Sequence, residues 1–138
     1  MANTKGQIFG INGPVVKVKG SDSFEMQEMV YVGNEELIGE VIGVTSDTTI
    51  VQVYEETTGL KKGEPVVGTG GPLSITLAPG ILSDIFDGIE RPLKEIRNMS
   101  GSFIGRGLKV TNLDERKTWN VEMVAKQGDY VTGGDIIA

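Results

Sequence analysis

The sequence contains no cysteine and no histidine among its 138 residues. The first absence excludes disulfides and thiolate metal sites, and the second removes the side chain that most often acts as a general base or a transition-metal ligand. Apolar residues make up 38% of the chain, yet no apolar run approaches the ~20 residues needed to cross a bilayer. Much enzyme chemistry is thereby excluded, and we expect a soluble protein in the cytoplasm.

Basic residues are fewer than acidic ones, 13 against 19, which gives a formal net charge of −6. An acidic chain repels phosphate backbones, and the lysines and arginines are scattered rather than grouped with aromatic residues. We therefore expect no nucleic-acid binding. The first residues lack a basic segment followed by an apolar one, so we expect no secretory signal. A chain of this length can hold one ordinary domain, or one small domain and part of another.

Short runs rich in valine and isoleucine fill the chain from Gln7 to Val67, and turn-forming residues separate them. Such runs at intervals of about ten residues, with no helical period between them, are typical of an antiparallel β-barrel, which removes its exposed edges by closing. Gly39 and Gly43 would allow bends at barrel corners. We predict six strands around an interior filled by Ile8, Val16, Val30, Ile42, Ile50 and Val53.

A different pattern follows Gly68–Pro72 and predicts a connector with short helices. Residues 73–77 alternate apolar and polar side chains, as in a half-buried strand. Residues 81–86 place apolar side chains three and four apart, which indicates one or two helical turns, and Gly88 would end them. Pro92 then begins a second short helix, because proline suits the first helical position.

The last part of the chain returns to a β pattern. Residues 117–124 alternate cleanly, and Gly128–Ile136 resembles the strand-turn-strand of barrel-sandwich domains such as biotinyl and lipoyl carriers. The final apolar residues, 136–138, would leave backbone groups unpaired, so we expect the sequence to stop inside a second domain. The predicted protein is mainly β, with an N-terminal barrel in 1–67, a connector in 68–100 and a truncated barrel-sandwich-like domain in 101–138.

The glycine-rich stretches do not predict a phosphate site. A P-loop requires a glycine followed by lysine and then serine or threonine, and the sequence contains no Gly-Lys pair. Residues 68–71 and 101–107 also lack the strand-to-helix setting of a dinucleotide-binding loop. We interpret both stretches as turns or linkers.

Two pairs of adjacent glutamates could supply an acid and a base, because neighbouring carboxylates can acquire different pKa values. The pairs are Glu35 with Glu36 and Glu55 with Glu56. Adjacent residues of a strand point to opposite faces, so solvated turns are the better interpretation.

Further along the chain, Asp84 and Asp87 precede Glu90 and Arg91, which predicts local ion pairs rather than a metal site. Trp119, the single tryptophan, is expected to anchor the core of the second domain. We assign no catalytic, cofactor-binding or metal-ligating residue.

Four stretches carry a resemblance to a known family. Gly6–Val16 is similar to the opening strand of rotary ATPase α/β-type subunits, and Val53–Val66 resembles the last strands of their N-terminal barrel. Gly70–Leu93 is the most distinctive stretch, and Gly105–Trp119 resembles the start of the inserted bulge, or non-homologous, domain. Together they resemble the catalytic A subunits of V/A-type ATPases over essentially the whole chain.

This resemblance implies a component of an enzyme that couples ATP synthesis or hydrolysis to proton or sodium transport. It implies that the barrel joins a ring in which A and B subunits alternate, and that residues 101–138 begin the bulge, which contacts the peripheral stator. ATP and magnesium would bind to a P-loop domain beyond Ala138, so this piece should be inactive alone.

The expected partners are the B subunit, other rotary ATPase subunits and the stator, in a cytoplasmic assembly peripheral to the membrane and without direct insertion. The fragment could also associate with itself.

An alternative interpretation is a free-standing β-barrel module similar to biotinyl and lipoyl domains, although no lysine-bearing carrier hairpin follows the strand-turn-strand. An independent enzyme is disfavoured because no convergent acid and base set is present.

Overall fold

Six antiparallel strands close into a barrel in the computed structural model, which describes residues 5–20, 24–82, 84–114 and 116–138. The order around the barrel is β1-β2-β5-β4-β3-β6, and β6 pairs with β1 to complete the closure. This arrangement confirms the predicted six-stranded barrel and the mainly β class. The strands are β1 (Lys5–Asn12), β2 (Val15–Lys19), β3 (Glu28–Val32), β4 (Leu37–Val44), β5 (Thr49–Val53) and β6 (Pro65–Pro72).

Glycines lie in the turns that follow β1 and β3. Gly13 and Pro14 form a two-residue turn between β1 and β2, where Asn12 pairs with Val15. Gly13 has a φ of +57°, which residues with a Cβ atom rarely adopt. Gly33, with a φ of +77°, follows β3, and its N–H donates to the carbonyl oxygen of Pro65 at 2.8 Å.

The barrel interior is filled by aliphatic side chains that alternate with outward residues along each strand. Four of the six predicted interior residues, Ile8, Val16, Val30 and Val53, are buried as expected. The full set of buried apolar side chains in the barrel is Ile8, Val16, Val18, Phe24, Val30, Val32, Leu37, Val41, Val51, Val53 and Val66.

The prediction was wrong for two interior residues. Ile42 is 44% exposed and Ile50 is half-buried, whereas the neighbouring Val41 and Val51 are fully buried. Side chains alternate along a strand, so Ile50 cannot share the inner face with Val53 three residues later. Polar Gln52, which is also exposed, was the sequence signal that marked the outer face of β5.

Two glycines of β4 serve different purposes. A Cβ atom on Gly39 would lie 2.8 Å from the backbone carbonyl oxygen of Gln52, so only glycine allows this close approach. Gly43 lies where the pairing of β4 with β5 shifts register after Val41, as expected for a β-bulge that bends the strand.

The connector departs from its predicted secondary structure. Strand β6 continues beyond Val67 to Pro72, and residues 73–77 form no strand, with Leu77 76% exposed. The helical turns predicted over residues 81–86 are also absent where the chain is described, and Ser83 lies outside the described residues.

Two local features replace those turns. A short 3₁₀ helix covers Pro79–Ile81, and Phe86 forms an isolated β-bridge with Pro92. The Asp87 carboxylate accepts hydrogen bonds from the N–H groups of Ile89 and Arg91, which stabilises a turn in place of a helix.

The helix predicted after Pro92 is present as α1 (Leu93–Ser100). Ile96 faces inward and is 2% exposed, whereas Met99 is 59% exposed. Gly101 ends the helix with a φ of +76°, and its N–H donates to the carbonyl oxygen of Arg97. No helix within the described ranges is long and apolar enough to span a membrane.

Residues 116–138 contain turns and no assigned strand. The prediction of strands in 117–124 and 128–137 was therefore wrong for this segment, because an alternating run forms a strand only when a partner supplies its hydrogen bonds. Trp119 does not anchor a core, since it is 44% exposed and its ring lies 4.3 Å from Nζ of Lys117. The proposed domain division at 67 and 100 remains a prediction.

Candidate functional site

Three glutamates at one end of the barrel contact cationic side chains from later in the chain. Glu35 and Glu36 lie in the turn between β3 and β4, and Glu55 follows β5. We call these residues the glutamate rim. Their partners lie within residues 86–112, which we call the strap, and they are Arg91, Arg106 and Lys109. The rim and strap therefore have complementary charge.

Glu55 is the most extensively bonded residue of the rim. Its side chain is only 7% exposed. Oε1 accepts a hydrogen bond from the Ile38 N–H at 3.4 Å, and Oε2 accepts from Nη1 of Arg91 at 3.0 Å and from the Gly107 N–H at 2.9 Å. The prediction of a solvated turn was thus wrong for Glu55 and right for exposed Glu56, because tertiary contacts cover one carboxylate and not its neighbour.

Arg91 joins Glu55 to Asp87 in a largely buried ion-pair network. Its Nε donates to Oδ2 of Asp87 at 2.8 Å, and the Arg91 side chain is 9% exposed. Burial alone would raise the pKa of Asp87, but the hydrogen bonds from Arg91 and the Ile89 N–H lower it below its usual value. Burial likewise opposes the charge of Arg91, but its bonds to Asp87 and Glu55 raise its pKa. Both groups stay charged.

Arg106 and Lys109 bind the two outer glutamates. Nε of Arg106 donates to Oε2 of Glu35 at 2.6 Å and Nη2 donates to Oε1, a bidentate pair that raises the pKa of Arg106. Lys109 donates to Glu36, and its Nζ lies 5.8 Å from the centre of the Tyr31 ring. These contacts are more exposed than the Glu55 network.

The strap approaches the rim closely at Gly107. This residue has a φ of +65°, and a Cβ atom there would lie 2.8 Å from the carbonyl oxygen of Glu35. Glycine therefore lets the backbone come near enough for its N–H to reach Glu55. Between the strap and the barrel remains a cavity of about 290 Å³, whose lining includes Met29, Tyr31, Ile38, Leu108 and Val110.

The remaining candidate carboxylates form local contacts. Asp84 pairs with Lys94 at 2.6 Å, and Glu90 accepts a hydrogen bond from the Asn112 amide at 3.1 Å. The predicted local ion pair is confirmed for Asp87, which binds Arg91, whereas Asp84 pairs with Lys94, which was not part of the prediction. Throughout the ranges given for the structure, no cluster of three or more Asp, Glu, His or Cys residues is arranged to hold a metal ion.

The first glycine-rich stretch, 68–71, belongs to β6 and forms no free loop of amides. The Gly70 N–H donates at 2.9 Å to Oε1 of Glu28, a buried glutamate that also accepts from the Glu25 N–H. A Cβ atom on Gly68 would overlap that same oxygen. These glycines therefore make room for a buried carboxylate.

Sequence reasoning missed Glu55 and Arg106 as parts of one site. Arg106 lies in the stretch 101–107, which was interpreted as a linker, and it contacts Glu35 at a separation of 71 residues. No local pattern marks such a pair. The four-residue spacing of Asp87 and Arg91 was the one signal that pointed to this network.

Comparisons with known proteins agree on one family. Residues 8–70 match the sequence model of the beta-barrel domain of the ATP synthase alpha/beta family. The chain is 51% identical, over 96% of its length, to 22% of V-type ATP synthase alpha chain 2 from Clostridium tetani. It is 51% identical, over 99% of its length, to 23% of the A subunit of the A-type ATP synthase from Methanopyrus kandleri. The corresponding protein from Methanosphaera stadtmanae is 53% identical over 96% of the chain, which covers 23% of that relative.

Proposed function

Because residues 8–70 match the beta-barrel domain of the ATP synthase alpha/beta family, and nearly the whole chain is related to V-type alpha chains and A-type A subunits, we propose that it forms the N-terminal part of such a protein. The observation that carries the proposal is that the chain is 51% identical to one of these relatives over 99% of its length. The aligned part includes the strap and the tail beyond the barrel. The chain spans under a quarter of the length of these relatives. The activity of a whole catalytic chain is therefore part of the proposal.

The proposed role of the barrel is structural: it holds the ring of alternating A and B subunits together. A closed barrel with a close-packed aliphatic core is stiff, and stiff elements can transmit force between neighbours without deforming. The barrel also exposes apolar side chains that an interface could cover, among them Ile11, Ile42, Val44 and Tyr54.

The remaining parts of the proposal concern the parent enzyme. Residues 101–138 would begin the bulge domain and contact the peripheral stator. ATP and magnesium would bind to a P-loop domain in another part of the full-length protein, and the complex would couple ATP synthesis or hydrolysis to proton or sodium transport at the cytoplasmic side of a membrane. The relatives described above are ATP synthase chains, which favours this proposal over a free-standing biotinyl-like or lipoyl-like module.

The ring role predicts direct association with a B-subunit barrel. The chain should form a complex with that barrel in analytical ultracentrifugation, and Ile42→Lys should weaken the complex by about tenfold because it places a charge in an apolar contact. Gln52→Lys, at an exposed polar position of the neighbouring strand, is the matched control. A chain that shows no complex at high concentration would contradict the ring role, and one that binds ATP stoichiometrically by itself would contradict the separation of the barrel from the chemistry.

A further inference from the structure

The strap is held to the barrel differently from the way the strands are held to each other. The barrel core consists of buried apolar side chains in contact, nearly all of them aliphatic. The strap instead reaches the barrel through the ion pairs and the Gly107 hydrogen bond described above, and residues of both line a cavity of about 290 Å³. Regions with few buried apolar contacts open at lower free energy than the core that supports them.

The strap is also braced within itself. Phe86 forms a β-bridge with Pro92, and the Asp87 N–H donates to the Arg91 carbonyl oxygen at 3.1 Å. Asn112 binds Glu90 across the strap at 3.1 Å. These internal contacts do not depend on the barrel, so they can persist when the contacts to the glutamate rim break.

We propose that the strap is a releasable element which detaches from the barrel as a unit, and that Glu55 is the latch that keeps it closed. This inference concerns the chain itself and does not rest on the proposed function. Detachment breaks the pairs between the rim and the strap, and it bares the three glutamates and the apolar lining of the cavity while the barrel stays folded.

Glu55 is the latch because it bonds to two separated points of the strap and to the barrel. Its Oε2 accepts hydrogen bonds from the Arg91 side chain and from the Gly107 N–H. Its Oε1 accepts one from the N–H of Ile38 in β4. Losing its charge leaves Arg91 buried with Asp87 alone, whereas the exposed pairs of Glu35 and Glu36 contribute less because water screens them. The strap therefore opens mainly when the Glu55 contacts fail.

Large apolar side chains on the N-terminal side of the strap are mostly exposed. Ile75 is 56% exposed, Leu77 is 76% exposed and Leu82 is 77% exposed. A segment with so little buried apolar surface has little to hold it in one conformation. This segment therefore lets the strap change position while it keeps the strap connected to β6.

Hydrogen exchange of the whole chain, followed by mass spectrometry, tests the proposal. Glu55→Gln should speed exchange of amides in residues 86–112, including that of Gly107, by at least about tenfold, because a buried charge loses a partner. Amides of β2 and β5 should keep their protection. Glu56→Gln, the exposed neighbour, is the matched control and should leave both regions unchanged.

A second pair of variants keeps the test decisive if Glu55→Gln does not fold. Glu35→Arg should loosen the strap, and combining it with Arg106→Glu should restore part of the protection, since the two partners are partly exposed and meet at 2.6 Å. Equal exchange in Glu55→Gln and Glu56→Gln would overturn the latch. Exchange of strap and barrel amides through one common unfolding event, with the same dependence on denaturant, would overturn independent release.

Discussion

The barrel and the segment after it use similar residues to different effect. Both contain runs in which apolar and polar side chains alternate, yet the runs before Pro72 form paired strands and those in 73–77 and 117–124 form none. In the barrel each run has neighbours on both sides, so its backbone groups are satisfied and its inward side chains are covered. An alternating pattern therefore favours a strand, but the strand forms only when a neighbouring strand pairs with its backbone.

Charged side chains contribute little to the barrel core but hold the strap in place. The barrel core is apolar, and the buried carboxylate of Glu28 is bonded to backbone N–H groups. The strap is attached largely through arginine and lysine contacts to glutamates. Hydrophobic burial scales with area and resists salt and moderate pH change, whereas ion pairs depend on both. The two regions should therefore respond differently to mutation and to solvent.

The largest effect should follow removal of a core side chain. Leu37→Ala should lower the free energy of unfolding by about 2–5 kcal/mol, because Leu37 is fully buried and truncation leaves a cavity. Urea denaturation measures the loss. Ile42→Ala, at a position that is 44% exposed on the same strand, is the control and should cost much less. Equal losses would mean that the inner and outer faces of β4 have been assigned incorrectly.

An intermediate effect should follow overpacking of the barrel wall. Gly39→Ala places a methyl group 2.8 Å from the Gln52 carbonyl oxygen, which cannot move without disturbing β5, so we expect a loss of about 1–3 kcal/mol. Gly71→Ala is the matched control, because nothing lies within 4 Å of the added atom. Thermal unfolding of both variants measures the difference. If Gly39→Ala is as stable as Gly71→Ala, the close strand approach does not constrain the barrel.

The smallest effect concerns acid and the attachment of the strap. The pKa of Asp87 is lower in the folded protein than its ordinary value of 3.8, so its ion pair stabilises the fold above that pH and the stability is lost as pH falls through the folded-state pKa. Thermal unfolding followed from neutral pH down to below pH 3.8 should therefore show a smaller loss for Asp87→Asn than for the unmodified chain. Identical pH dependence would show that Asp87 contributes nothing in acid.

The sequence allowed most of the barrel to be predicted and little of the rim. Strand positions followed from runs of β-branched residues, but the inner face was misjudged at Ile42 and Ile50, where a register shift and a half-buried outer face disguise the alternation. Glu55 could not be found in this way, since its partners Arg91 and Gly107 lie 36 and 52 residues away. Predictions based on short windows do not include such contacts.

The sequence by itself determined the closed barrel and the helix after Pro92, because valine and isoleucine periodicity, glycine turns and proline act over a few residues. The sequence also showed the similarity to the ATP synthase relatives, through residues spread along the chain. Only the tertiary structure decided which of two adjacent glutamates, Glu55 or Glu56, is buried and bound. That choice depends on where a distant arginine comes to lie, and a buried carboxylate is stable only when such a partner and its hydrogen bonds are in place.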